Sequence, residues 1–319
     1  MLNQQILREG LSIMASCRKQ TGDIWQAHFG AAAIGSYFFV KDLGADQELA
    51  QLVFAQSGEM VKKYMREDEE DRHPACDEQT AVSAILGALE HTIGGLHWVG
   101  HNVIYSAASL LAIRELQGWG SQTDITGIAD LIRAFEKTPP GRSWIGFTAA
   151  EVKRMELSED DGFPVIAKPE ELSLLVLEEL SQFTAIYRAE SHHDLIGHML
   201  TFSHALNILF DLGHVTFFER GLRPVLKLVK VLRSSRSLTI DEPLKLSSAV
   251  DRLPLHPAIP VKELPTEAAF WKKDYSDHDW DFGHIFKFAH SFYDHLRRVE
   301  EKRESYIENF RCIIAQYQK

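Results

Sequence analysis

The sequence predicts an all-α protein, a single-domain helical bundle with a central histidine-lined metal site. Three observations predict it. Apolar residues recur at three- and four-residue spacing along most of the chain. Alternating strand patterns are scarce. Four apolar helices each begin with a histidine.

The periodicity is clearest in "ADQELAQLVFAQSGEMVKKYMRED" (45–68), "EELSLLVLEELSQFTAIYR" (170–188) and "HLRRVEEKRESYIENFRCIIAQYQ" (295–318). Only "FPVIAK" (163–168) reads as a short strand. Polar, proline-containing stretches separate the helices. The longest, 233–268, is too long for a plain connector and reads either as a lid or substrate-binding segment or as a surface excursion. No shift in composition marks a boundary, so one all-helical domain over 1–319 is expected.

The net charge of −11 repels phosphate backbones and anionic lipid, which argues against nucleic acid or membrane as the main partner. No basic segment followed by an apolar run opens the chain, and no run approaches eighteen apolar residues. Cys17, Cys76 and Cys312 are far apart, which fits a reducing cytoplasm better than a disulfide framework or a thiolate metal site.

Histidine is the outlier, with 15 copies, many in apolar stretches. "GHIFKFAHSFYDHL" (283–296) aligns without gaps to "GHMLTFSHALNILF" (197–210), and both read G-H-x-x-x-F-x-H. "GHNVIYSAASLLAI" (100–113) keeps Gly-His and places Tyr105 at the aromatic position. "AHFGAAAIGSYFFV" (27–40) is a weaker fourth copy. His28, His101, His198 and His284 therefore open four apolar helices. Bundles build metal sites from side chains that face inward from separate helices, and imidazole suits a borderline metal such as iron. One histidine on such a helix is usually a hydrogen-bonded core residue; four in matching contexts point to a metal.

The other histidines divide by position. His97 and His101 are spaced as i,i+4, so either could be the ligand. His204 and His290 follow their motif histidines by six residues, roughly 120° round the helix, which suits packing or support of a ligand. His192 and His193, ahead of Asp194, stand where they could cap the helix and read as half exposed. His73, His256 and His278 lie in polar segments and read as surface residues, and His295 sits at the edge of a charged stretch with no chemical task. Lys287 shares the helix face of His284; snorkelling to solvent ranks first, ahead of service as a base or as a carbamate formed with CO₂. Paired acids such as Asp160–Asp161 and Glu178–Glu179 read as solvated.

Four segments together resemble the questin oxidase-like family of oxygenases. They are "AHFGAAAIGSYFFVKDLGA", "GLHWVGHNVIYSAASL", "LIGHMLTFSHAL", which carries His198 and Thr201, and "GHIFKFAHSF", which carries His284 and Lys287. The resemblance implies an all-helical oxygenase that acts on aromatic polyketides by Baeyer–Villiger-like or ring-cleaving dioxygenase chemistry. It implies non-haem Fe(II) held by His28, His101 (or His97), His198 and His284, with Lys287 as a further ligand through a carbamate. A planar hydroxyaromatic and O₂ would then be the substrates. Trp98, Tyr105, Phe202, Phe286 and Phe288 would line an apolar pocket or simply pack the core, and His97 or His204 would deprotonate a phenol. The rival expectations are a zinc- or manganese-dependent hydrolase or lyase, and a non-catalytic helical binding protein.

Overall fold

In the computed structural model, residues 3–65, 75–238, 244–301 and 303–315 are described. His73 lies outside them. The architecture is all-α, as the periodicity predicts. The helices are α1 (Gln5–Thr21), α2 (Ala27–Leu43), α3 (Gln47–Tyr64), α4 (Glu78–Leu89), α5 (His101–Leu116), α6 (Gln122–Arg133), α7 (Ala149–Arg154), α8 (Pro169–Ser181), α9 (Leu195–Asp211) and α10 (Val215–Arg233). After them come α11 (Ala268–Trp271), α12 (Asp279–Phe282), α13 (His284–Arg298) and α14 (Glu304–Ile313). Among the described residues the only sheet joins β1 (Ser143–Ile145) and β2 (Leu246–Ser248), antiparallel, with Trp144 opposite Ser247.

Local chemistry explains several boundaries. Asp46 caps α3 by accepting from Leu49 N–H at 2.9 Å, and Asp77 caps α4 through Thr80 N–H at 2.9 Å. Ser121 and Asp124 form a reciprocal capping box at α6. No helix among the described residues is long and apolar enough to cross a membrane.

The chain divides into two compact units, each discontinuous in sequence. Unit 1 comprises 1–92, 102–136 and 263–293; unit 2 comprises 93–101, 137–262 and 294–319. In unit 1, α1 packs on α2, α3 and α6, α4 packs on α6, and α11 rests on α3. Helix α2 is buried at every residue from Ala27 to Val40, and only its last turn is exposed. In unit 2, α9 packs between α8 and α10 and is buried from Leu195 to Leu209. A helix apolar on every side belongs in the interior, because each buried Leu, Ile or Phe contributes about 1.5–3 kcal/mol. The polar groups on α2 and α9 must then find partners inside.

Several expectations are corrected. "FPVIAK" forms no strand; it is mostly exposed, with Val165 91 % accessible, and Phe163 lies under the Arg233 guanidinium at 4.0 Å. The periodic stretch 295–318 is broken, with α13 ending at Arg298 and α14 starting at Glu304. Between them Val299 is still buried, but the charged Glu300 and Glu301 that follow are exposed. Glu179 is buried rather than solvated, because Arg233 and Arg236 both pair with it.

In unit 2, part of the long 233–268 stretch is stitched down. β2 pairs with β1, Leu255 joins a cluster with Ile145, Tyr187 and Ala189, and Ala258 N–H donates to the Ile186 carbonyl at 2.7 Å.

Candidate metal centre

All four motif histidines lie in the first turn of a helix. His28 is the second residue of α2, His101 the first of α5, His198 the fourth of α9 and His284 the first of α13. All four are buried. The two units hold two of them each.

In unit 2, an irregular backbone delivers His101. His97 is extended, and Trp98 and Val99 then turn left-handed, with φ of 38° and 51°. Such a conformation costs a β-branched residue about 1–3 kcal/mol and persists only where neighbours enforce it. Here Trp98 N–H donates to the Pro139 carbonyl at 2.9 Å and Val99 N–H to the Pro140 carbonyl at 2.8 Å. Gly100 has φ +97°, and the Phe202 ring of α9 occupies the space a Cβ would need. Glycine lets α9 approach the backbone that carries His101.

That approach brings the His101 and His198 rings together. Their Nε2 atoms lie 3.3 Å apart, with ring centroids at 4.7 Å. His101 Nδ1 donates to the Trp98 carbonyl, and His198 Nδ1 donates to the Asp194 carbonyl at 2.7 Å. A carbonyl has no hydrogen to give, so the protons sit on Nδ1 and the lone pairs on Nε2. Two facing lone pairs repel unless a cation or a shared proton lies between them. Two nitrogens bound to one tetrahedral ion at about 2.0–2.1 Å stand about 3.3–3.4 Å apart, so the pair fits a metal. A second N–H held by a backbone carbonyl is also the usual support of a metal-bound imidazole. Both residues could serve as ligands of a metal ion.

In unit 1, His28 and His284 lie with ring centroids 5.8 Å apart. His28 Nδ1 is 3.0 Å from the Trp25 carbonyl oxygen and 2.6 Å from the Tyr105 hydroxyl. Burial pushes the Tyr105 phenol well above its ordinary value, so it keeps its proton. Asp279, Trp280, Asp281 and Phe282 form the single left-handed turn α12, with φ between 50° and 57°, and Gly283 follows at 73°. Asp279 anchors it by accepting from Tyr64 O–H and from Lys63 Nζ at 2.8 Å, and Trp280 Nε1 donates to Gln56 Oε1 at 2.9 Å. A Cβ on Gly283 would come within 2.7 Å of the Ala32 Cβ. The glycine of the Gly-His motif is thus demanded at 100 and at 283 by a left-handed backbone and a close neighbour, whereas Gly197 lies within α9.

Lys287 is buried, 6 % exposed, which removes the snorkelling reading. His97 shares no helix with His101, because the backbone between them is left-handed. His204 Nε2 lies 3.6 Å from the Asp294 carboxylate in unit 2, and His290 Nε2 lies 3.3 Å from Asp42 in unit 1. Three aromatic residues of the expected pocket are packed, while Trp98 is half-buried: Phe288 stacks on His284 at 4.6 Å, Phe286 stacks on Trp271 at 5.2 Å, and Tyr105 meets Phe135 edge-on. His192 and His193 are buried rather than half exposed. Burial lowers His192 to about 4 and His193 to about 3, so both are neutral imidazoles near pH 7.

His295 is the largest departure. It is fully buried, with Nδ1 2.9 Å from Ser173 Oγ and Nε2 2.9 Å from both Ser203 Oγ and the Leu200 carbonyl. Asp194, four residues before His198, also went unmarked in the sequence. The D-x-x-x-H spacing was its signal, since i and i+4 share a helix face.

The fold and these pairs define a class, the all-helical proteins with buried histidines at helix starts. Searches against protein-family models, curated proteins and solved structures return no match for this chain.

Proposed function

We propose that this protein is a metal-dependent oxygenase, with Fe(II) as the metal and a planar hydroxyaromatic molecule and O₂ as substrates. One observation carries the metal: two buried imidazoles face each other through Nε2 at 3.3 Å while each Nδ1 is held by a backbone carbonyl. His101 and His198 are the primary ligands. His28, His284 and Lys287 join the ligand set on the repeated motif and the family resemblance, Lys287 through a carbamate.

A bound iron ion would supply the one-electron chemistry that lets O₂ react with an electron-rich ring. The chain's own groups do the rest. The Trp98 and Asp194 carbonyls keep Nδ1 protonated and so keep Nε2 available. Buried rings such as Phe202 exclude water from the histidine pair. His97 or His204 takes the proton of the substrate phenol, which raises the electron density of the ring.

The test is metal analysis of the purified protein beside His101→Ala and His198→Ala, followed by oxygen consumption with a hydroxylated polycyclic aromatic. The expected result is one iron per chain in the parent protein, less than about one tenth of that in the variants, unchanged helical circular dichroism, and substrate-dependent O₂ uptake. Bound zinc or manganese without O₂ uptake would establish the hydrolase or lyase reading. A protein that takes up no stoichiometric metal would leave a non-catalytic helical binding protein.

A further inference from the structure

We infer that the Asp194 carboxylate is a positioning residue for His198, adding a negative charge behind the ring that faces His101. This inference rests on the metal reading above. Asp194 immediately precedes α9, where an aspartate ordinarily adopts extended backbone and caps the helix with its side chain. Here its backbone is helical, with φ −68° and ψ −42°, and no side-chain cap bond forms. The side chain therefore lies one turn below His198 on the same helix face. Its Oδ2 is 3.4 Å from His198 Nδ1, while its carbonyl accepts the Nδ1 proton at 2.7 Å. One residue thus supplies both the hydrogen-bond acceptor and the charge.

The segment that delivers Asp194 is built for the purpose. Residues Glu190–Asp194 form a π-helical turn, the irregularity that inserts an extra residue into a helix and recurs at functional sites. Its start is fixed by the 233–268 stretch, because Asp251 accepts from Glu190 N–H at 2.9 Å and from Ser191 N–H at 2.8 Å. Arg142 grips the Glu190 carboxylate through Nε at 2.9 Å and Nη2 at 2.7 Å. His192 accepts from Tyr187 N–H at 2.9 Å, and His193 Nδ1 lies 3.0 Å from the Ala189 nitrogen and 2.8 Å from its carbonyl oxygen, which locks the turn from within. A carboxylate behind a metal-bound imidazole fixes the ring and makes it a better donor, and removing such a partner typically costs about 10–100-fold in metal affinity.

The experiment compares the parent protein with Asp194→Asn and Asp194→Glu. Asparagine keeps the backbone carbonyl and the shape but removes the charge. Each protein is stripped of metal, titrated with Co(II) alone against a competing chelator, and followed by visible absorption and by the thermal midpoint of the metal-free form. The expected result is about a 10-fold or greater loss of Co(II) affinity in Asp194→Asn, an altered absorption band, recovery toward the parent value in Asp194→Glu, and an unchanged metal-free midpoint. Equal affinity in Asp194→Asn and the parent would overturn the inference and leave the metal site standing. A lowered metal-free midpoint with an unaltered absorption band would overturn it as well, since that marks a purely structural aspartate. A parent protein that binds no Co(II) would bring down the metal reading, and this inference with it.

Discussion

An imidazole buried in an apolar helix has two nitrogens to satisfy and, when neutral, one hydrogen to do it with. His101 and His198 settle the matter by giving Nδ1–H to backbone carbonyls, which leaves Nε2 for a metal. His295 resolves it without a metal, because Nε2–H donates to the Leu200 carbonyl and Nδ1 accepts from Ser173 O–H. Replacing His295 with leucine strands these partners in the interior, and the expected cost is about 1–3 kcal/mol, read as a lower urea midpoint. His192 and His193 make a pH prediction. Their folded values, about 4 and about 3, lie below the ordinary 6.5 of the unfolded chain. The unfolded state therefore binds more protons below pH 6.5, so their contribution is intact above that pH. It is lost as pH falls from 6.5 through 4 toward 3, at up to about 1.4 kcal/mol per unit for each histidine. Denaturant midpoints measured across that range should fall, and His192→Gln should flatten the slope. Neither the His295 hub nor this neutral pair was legible in the sequence. A histidine beside "LRRVEEKRE" reads as exposed until the partners on α8 and α9 are in place.

At the level of the element, the helix starts were legible and their approach was not. A histidine that opens an apolar run is visible as a pattern, and each of the four does lie in a first turn. The left-handed turns before His101 and His284 have no periodicity to betray them, and three of their residues are aromatic. They are held by hydrogen bonds with distant residues, Trp98 N–H donating to the Pro139 carbonyl and Tyr64 O–H to the Asp279 carboxylate. Gly283→Ala should lower the thermal midpoint by the equivalent of about 1–3 kcal/mol, because its φ is +73° and Ala32 fills the space. Gly58→Ala in α3 is the control, since its Cβ meets nothing within 4 Å, and it should stabilise by about 0.5–1 kcal/mol. Gly100→Ala should also weaken metal binding, because Phe202 and the backbone before His101 can no longer close together.

Across the whole molecule, a ligand that binds only the folded chain adds stability by mass action, about 2.7 kcal/mol at a hundred times its dissociation constant. Fe(II) added to the metal-free protein should therefore raise its thermal midpoint by several degrees, and a chelator should reverse the rise. Added bicarbonate should increase metal loading if Lys287 carries a carbamate, and Lys287→Met should abolish that increase. The chain alternates between its units, and α5 and α13 each begin in one and end in the other. Neither unit is a continuous stretch, so no shift in composition could have marked them.

The sequence by itself determined that the chain is helical, since spacing at three and four residues leaves few other ways to bury the apolar side chains. It also determined which four histidines open helices. Only the tertiary structure decided that His101 meets His198 and His28 meets His284, that Lys287 is buried, and that Asp194 stands behind His198. These depend on close approach at Gly100 and Gly283 and on hydrogen bonds between residues far apart in the chain. Such contacts follow from packing in three dimensions, and a linear pattern carries no record of them.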